Sequence, residues 1–356
     1  MSIQILNQDF EIVDIIEEYE SLIWTDRYNT PGDFELFSPA VTDSLNNLVR
    51  DNYVRMTDSD HMMVIEDIVY SSSAESGKSI KVVGRSLESI LDRRIVWGTI
   101  DLKGYLEDVI EVLFNSEIIN PAFPERKINN FVFQRSGDPR IAGLPVTQQY
   151  TGDTLLNIIQ NLTEEFDIGW RIILNSNNQF VFSFYVGTDR SYNQNNNPYV
   201  VFSPAYGNVI NSNFTILGAN YKTVILVSAD GETTEEGERT KIYRTVGGGS
   251  GLLRREMFSN EVGIEKDEEM SQEDYEKALD QFGTEELQKN AVTTKFDGEY
   301  ETKLNFKYGT DFLIGDVVEV ADEFGNFSSS KVIEFIWSND TTNGESSYPT
   351  FRATEN

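Results

Sequence analysis

Chemistry in this chain would have to start from its single histidine, His61, because imidazole titrates nearest to neutral pH. It stands in Asp58-Ser59-Asp60-His61-Met62, where residue types alone would permit a Ser–His–Asp relay. No Gly-x-Ser-x-Gly elbow exists to hold a strained nucleophile, so His61 reads as a loop residue without a catalytic task. Asp58 and Asp60 imitate the first half of a calcium loop, but Met62 and Met63 occupy places where oxygen ligands and glycine should follow. Gly77-Lys78-Ser79 invites a phosphate-loop reading, yet the required earlier glycine is Ser72 and no apolar strand leads directly in. A flexible hairpin loop between Tyr70 and Ile80 is the better reading. Gly247-Gly248-Gly249-Ser250-Gly251 lacks the strand–turn–helix setting of a dinucleotide fingerprint and reads as a hinge or loop.

Composition removes further classes. The 356 residues include no cysteine, which excludes disulfides, thiolate zinc sites, Fe–S clusters and thiol nucleophiles. One histidine excludes a multi-histidine metal site within one chain. Asp and Glu number 59 against 29 Lys and Arg, a net charge of −30 that repels phosphate backbones. With so many carboxylates, some pairs fall at glycosidase separations in any fold; acid–base work needs one pair in a cleft with divergent pKa values. The acidic runs Glu232–Glu238 and Glu265–Glu276 read as solvated faces or loops. Hence no catalytic, cofactor-binding or metal-binding residue is assigned. The four tryptophans, Trp24, Trp97, Trp170 and Trp337, could serve a carbohydrate-binding module, but their patterns place them in the core. No apolar run is long enough to span a membrane, and Met1–Asp14 has no positive charge to open a secretory signal. Synthesis in a cytoplasm is expected.

The elements that must position these residues are mostly strands, so the expected class is α+β, mainly β. The first 85 residues read as a β-meander, with Asn29-Thr30-Pro31-Gly32 as a type II turn that needs a positive φ at glycine. Ser86 is placed to cap a short helix bearing Leu87, Ile90 and Leu91. Leu102, Leu106, Val109, Ile110 and Leu113 recur at helical spacing, as do Leu155, Ile158, Ile159, Leu162 and Phe166. Trp170–Leu174 and Phe180–Val186 flank a turn at Asn175–Asn178 and read as a hairpin. Ser271 begins a capping box with Asp274, and Gly283 reads as an interruption of the helix that follows. Strands resume from Tyr300–Phe306 through Lys331–Trp337. The expected layout is 1–100 plus 200–228 as a first β-barrel-like domain and 101–199 as an α+β insertion. A second barrel-like domain takes 229–250 plus 296–356, with 251–295 as an acidic helical insertion.

Several ordered segments carry a family resemblance. They are Leu22-Ile23-Trp24-Thr25-Asp26-Arg27-Tyr28, Pro31-Gly32-Asp33-Phe34-Glu35-Leu36, and Gly84-Arg85-Ser86-Leu87 with Arg93-Arg94-Ile95. Gly187-Thr188-Asp189-Arg190-Ser191, Val201-Phe202-Ser203, Arg254-Arg255-Glu256 and Tyr308-Gly309-Thr310-Asp311-Phe312 follow, the last leading into Leu313-Ile314-Gly315-Asp316-Val317-Val318. In this order they resemble the baseplate hub, or tail-tip, proteins of siphophages and prophages, whose module also opens tail-associated lysins. The resemblance implies a structural virion protein with no catalytic residue. It implies a homotrimeric ring of barrel-like domains lining or gating the channel for DNA ejection. Its implied partners are the distal tail protein, tail tube or tape-measure protein, and fibre, spike or lysin subunits. DNA would pass without specific binding. With few residues after Gly315-Asp316, the expectation is a hub alone, without the hydrolase domain that enzymatic relatives append. The alternatives are the hub of a contractile phage-tail-like bacteriocin and a carboxylate-pair cell-wall hydrolase.

Overall fold

In a computed structural model of the chain, the described residues are 2–40, 46–74, 77–233, 239–260, 270–300, 305–342 and 344–354. They form two compact units, Met1–Asn213 with Phe296–Asn356, and Phe214–Lys295.

The first unit opens with β1 (Ile3–Leu6), β2 (Ile12–Ile16), β3 (Ser21–Arg27), β4 (Asp33–Pro39), β5 (Tyr53–Met56), β6 (Met62–Ser73) and β7 (Gly77–Ser86). Period-two patterning sets their faces: β4 buries Phe34, Leu36 and Ser38, and β7 buries Ile80, Val82, Gly84 and Ser86. The strands do not pair serially, as a meander requires. β4 pairs with β7, and β1 lies between β2 and β5, giving the order β3-β4-β7-β6-β5-β1-β2. Alternation fixes which face a residue takes but not which strand lies beside it. A 3₁₀ helix at Leu87–Arg93 follows, with Leu87, Ile90 and Leu91 buried.

The intervening segment holds β8 (Thr99–Tyr105), α1 (Leu106–Phe114), β9 (Phe131–Phe133), α2 (Pro139–Ala142), β10 (Pro145–Thr151), α3 (Leu155–Glu165), β11 (Gly169–Leu174) and β12 (Phe180–Tyr185). The apolar stripes of α1 and α3 share one core with Trp170, Phe182 and Phe184. Leu102, whose spacing suggested a helix, lies in β8. Thr154 caps α3 by accepting from Asn157 N at 3.1 Å. β11 and β12 form the expected hairpin, and β9 joins β12 in parallel.

After β13 (Val201–Phe202) and β14 (Val209–Leu217), the second unit contributes β15 (Val224–Thr233), β16 (Arg239–Gly247), β17 (Glu256–Asn260) and α4 (Gln272–Lys289). β15 lies between β16 and β17, and α4 buries Tyr275 and Leu279 against Ile225, Val227 and Ala229. Ser271 caps α4 through Asp274 N at 3.1 Å. Gly283 does not interrupt this helix. It lies inside it because a Cβ there would meet the Val246 side chain at 2.8 Å.

β18 (Thr293–Tyr300) returns the chain to the first unit, followed by β19 (Val317–Ala321), β20 (Phe327–Asp340) and β21 (Gly344–Ala353). β20 pairs with β3, setting Trp337 opposite Trp24, so N- and C-terminal strands share one thirteen-stranded sheet. The mainly β, α+β class is as read from sequence. Among the described residues, however, the sheet is an open path ending at β14 and β2, not a closed barrel.

Candidate functional site

Motifs far apart in sequence meet in the first unit. Asp316, only 2% exposed, accepts hydrogen bonds from Thr188 N at 2.7 Å, Arg190 Nε at 2.8 Å and Leu313 N at 3.0 Å. A buried carboxylate is tolerated when its oxygens are satisfied by such charge-assisted donors. The backbones then interlock: Val317 N donates to Thr188 O at 3.0 Å and Arg190 N to Val317 O at 2.7 Å. Gly315 has φ +93°, and a Cβ on it would lie 2.5 Å from the Tyr28 ring and 3.3 Å from Gly187 N. Tyr28 ends the motif on β3, Gly187 opens the Gly187–Ser191 motif, and Gly315 belongs to Leu313–Val318, so this contact joins three of the segments.

Beside it, Tyr28 donates its hydroxyl to Asp167 O at 3.1 Å. Burial first, and the charge of Asp167 second, push its pKa well above the usual tyrosine range. Lys331 lies 4.9 Å from the Tyr28 ring centre and pairs with Asp167 Oδ2 at 2.5 Å, while Arg352 pairs with the other Asp167 oxygen. Burial lowers the Lys331 pKa against the opposing pull of Asp167.

A second brace joins the remaining N-terminal motifs. Arg27 donates to Glu334 at 2.7 Å, Asp33 at 3.0 Å and Pro31 O at 3.0 Å. Gly32 N donates to Ser86 Oγ at 2.7 Å, and Ser86 N returns a bond to Gly32 O at 2.9 Å. Ser86 therefore ties the Pro31-Gly32 segment down instead of capping the short helix with its side chain. Gly32 is not among the positive-φ glycines; a Cβ would lie 2.3 Å from Thr25 O, so close approach, not a type II turn, requires glycine.

His61 is not the idle loop residue its surroundings suggested. Its Nδ1 lies 3.3 Å from Glu88 Oε1, and the side chain is only 12% exposed. Glu88 also accepts from Ile172 N at 2.9 Å, and Asp26 accepts from Trp24 Nε1 at 3.0 Å and Ser59 Oγ at 2.7 Å. Burial disfavours the imidazolium, but Asp26 and Glu88 outweigh it and raise His61 to about 9. Glu88 is lowered: burial opposes its charge, and His61 with the Ser86 and Ile172 hydrogen bonds prevails. Asp26 is raised, chiefly by burial. The arrangement is an ion cluster, not a relay, since the Ser59 hydroxyl is committed to Asp26 and its oxygen accepts from His61 N at 3.0 Å. A lone charged residue within an apolar run, as Asp316 before Val317-Val318, was the available signal for one of these buried partners, whereas Asp26, beside Arg27, carried none.

The other sequence candidates stay apart. Gly77-Lys78-Ser79 begins β7 in a hairpin with β6. Gly247 ends β16, and Gly251 opens a 3₁₀ turn. Trp24, Trp170 and Trp337 are buried, whereas Trp97 is 55% exposed beneath the Arg126 guanidinium. Residues 234–238 and 261–269, which hold most of the two acidic runs, lie outside the described residues. Among the described residues no group of three acidic or histidine side chains is arranged to hold a metal ion, and no helix is long and apolar enough to cross a membrane.

Residues 2–345 match the family of the Siphovirus ReqiPepy6 Gp37-like protein. The chain belongs to this family. Three solved structures resemble this Gp37-like chain over almost its whole length. The 43 kDa tail protein of prophage MuSo2 from Shewanella oneidensis has a TM-score of 0.61 at 12% identity, covering 99% of this chain and 98% of that one. The tail protein from Neisseria meningitidis MC58 has 0.60 at 12%, covering 99% and 96%. Prophage tail protein gp18 from Listeria monocytogenes EGD-e has 0.57 at 14%, covering 100% and 95%. At such identities the shared property is the fold. No curated protein matches the chain.

Proposed function

We propose that this chain is the baseplate hub, or tail-tip protein, of a phage or prophage tail. Three copies form a ring that joins the tail tube and distal tail protein to fibre, spike or lysin components, and the ring lines or gates the DNA channel. The observation that carries this reading is the position of the motif residues. Tyr28, Gly187, Arg190, Gly315 and Asp316 brace segments against one another, so what these residues secure is a shape and not a reaction.

Two further features support it. The sheet ends at β2, where Ile12 and Ile15 are 49% and 51% exposed along an edge, and such edges call for cover by a neighbouring chain. Three copies at −30 each would carry −90, and carboxylates facing a lumen would let DNA slide without adhering. The likeness to solved tail proteins supports the assembly class.

Electron microscopy of the purified chain and of isolated tail tips tests this reading. A three-membered ring with a central hole is expected; a monomer in solution together with a tip lacking this chain would overturn it. Clear zones on peptidoglycan zymograms from this chain alone would favour the hydrolase reading instead.

A further inference from the structure

From Ser191 to Tyr221 the chain has no Asp, Glu, Lys, Arg or His, an unbroken run of 31 residues in a protein whose residues are 25% charged. The exposed part of this run is rich in tyrosine and asparagine. Tyr192, Tyr199 and Tyr206 are 53%, 42% and 54% exposed. The rings of Tyr192 and Tyr199 meet edge to face at 5.2 Å, and Tyr206 lies near enough to Tyr192 to perturb its phenol. The three tyrosines thus form one patch.

That patch stands on a frame closed by its own amides. Gln194 Oε1 accepts from Asn196 N and Asn197 N, both at 2.7 Å, and its Nε2 donates to Ser191 O and Asn197 O. Asn197 donates to Asp189 O at 3.0 Å, and Tyr199 donates its hydroxyl to Asn195 Oδ1 at 2.9 Å. Asn193 anchors the loop to Ser329 on β20 at 3.0 Å. At its far end the fully buried Asn208 accepts from Ser203 N and donates to Val201 O, each at 2.8 Å. The rings are therefore presented with little ordering left to be done on binding.

We propose that this tyrosine–asparagine patch binds a neutral saccharide. A pyranose has an apolar C–H face that stacks on an aromatic ring, and a hydroxyl edge that exchanges hydrogen bonds with amides and phenols; Tyr192, Tyr199 and Tyr206 beside an asparagine-rich loop supply both. The lack of charge selects the ligand class, since an anionic glycan gains no cation here and meets a chain of net charge −30. The inference goes beyond the hub reading and does not depend on it.

Saturation-transfer NMR on the full chain with chitotetraose, maltoheptaose and a galactan tetrasaccharide tests the proposal. The expected result is transfer to pyranose ring protons of at least one sugar. It should fall at least fivefold in the double variant Tyr192→Ala/Tyr206→Ala and survive in Tyr192→Phe/Tyr206→Phe, with both variants melting like the parent. No transfer to any of the three sugars overturns the proposal, as does transfer unchanged in the alanine variant. Self-association that disappears in the alanine variant, without sugar binding in the parent, also overturns it by making the patch a contact between copies.

Discussion

Gly187 and Gly315 meet backbone to backbone: a Cβ on Gly187 would lie 1.9 Å from the carbonyl oxygen of Gly315. No rotamer relieves such an overlap, because a Cβ has no torsion of its own and the atom it meets belongs to the main chain. Strands and loops on both sides would have to separate, carrying the Asp316 hydrogen bonds with them.

Gly187→Ala should therefore destabilise the first unit by about 3 kcal/mol or more, the upper end of overpacking effects. Gly143→Ala is the control. Gly143 has φ −97°, and its nearest relevant neighbour lies 4.0 Å from a built Cβ, so its cost should stay within about 0.5 kcal/mol. Urea unfolding of both variants at one pH measures the difference. Equal midpoints would show that the junction gives way locally.

Asp316 makes a separate prediction. Asp316→Ala strands Thr188 N, Leu313 N and the 19%-exposed Arg190 side chain, and breaking a buried pair from one side costs about 3–5 kcal/mol. Asp316→Asn keeps the shape and one acceptor oxygen, so its loss should be smaller, about 1.5–3 kcal/mol. The ordering of the two unfolding free energies is the check; an alanine variant as stable as the asparagine variant would contradict the bracing role.

These braces show why part of the molecule was legible in sequence and part was not. The strand-rich character of the first 85 residues, the stripes of α1 and α3, and the Ser271 cap are local properties, and they appear where expected. Partner choice is non-local, so a serial meander was read where β4 in fact pairs with β7. Gly32 and Gly283 were read through backbone angle and helix propensity, yet both answer to an atom from another strand. His61 looked idle because Asp26 and Glu88 reach it from other elements, and no adjacent residue announces them.

The buried His61 cluster gives stability a defined pH dependence. His61 rises from an ordinary value of 6.5 to about 9 in the fold, so its contribution is complete below pH 6.5 and is lost as pH climbs through 9. A difference of that size corresponds to about 3 kcal/mol. Glu88, lowered, contributes above its ordinary value of 4.5 and loses that contribution as pH falls through its folded value, while raised Asp26 works in the opposite sense. Denaturation at pH 6 and pH 9.5 should show the alkaline loss in the parent chain. His61→Gln should be weaker at pH 6 and much flatter between the two; an unchanged slope would mean that His61 is neutral in the fold.

The Asp167–Lys331 pair predicts an asymmetry that counting salt bridges would miss. Lys331 has a side chain 7% exposed, whereas Asp167 is 52% exposed and also holds Arg352. Asp167→Asn leaves an ammonium in the interior with its counter-charge gone, and the Tyr28 ring and the Asp167 carbonyl are poor replacements. It should cost about 3 kcal/mol. Asparagine tolerates the positive φ of +50° at this position, so backbone strain does not add to that figure. Lys331→Met removes the buried charge itself and fills similar volume, while Asp167 keeps water and Arg352, so its cost should be about 1 kcal/mol or less. In Asp167→Asn/Lys331→Met the stranded charge is gone, and the double variant should regain most of what Asp167→Asn loses. A double-mutant cycle by urea unfolding reads this directly, and simple additivity of the two losses would show that the pair does not act as a unit.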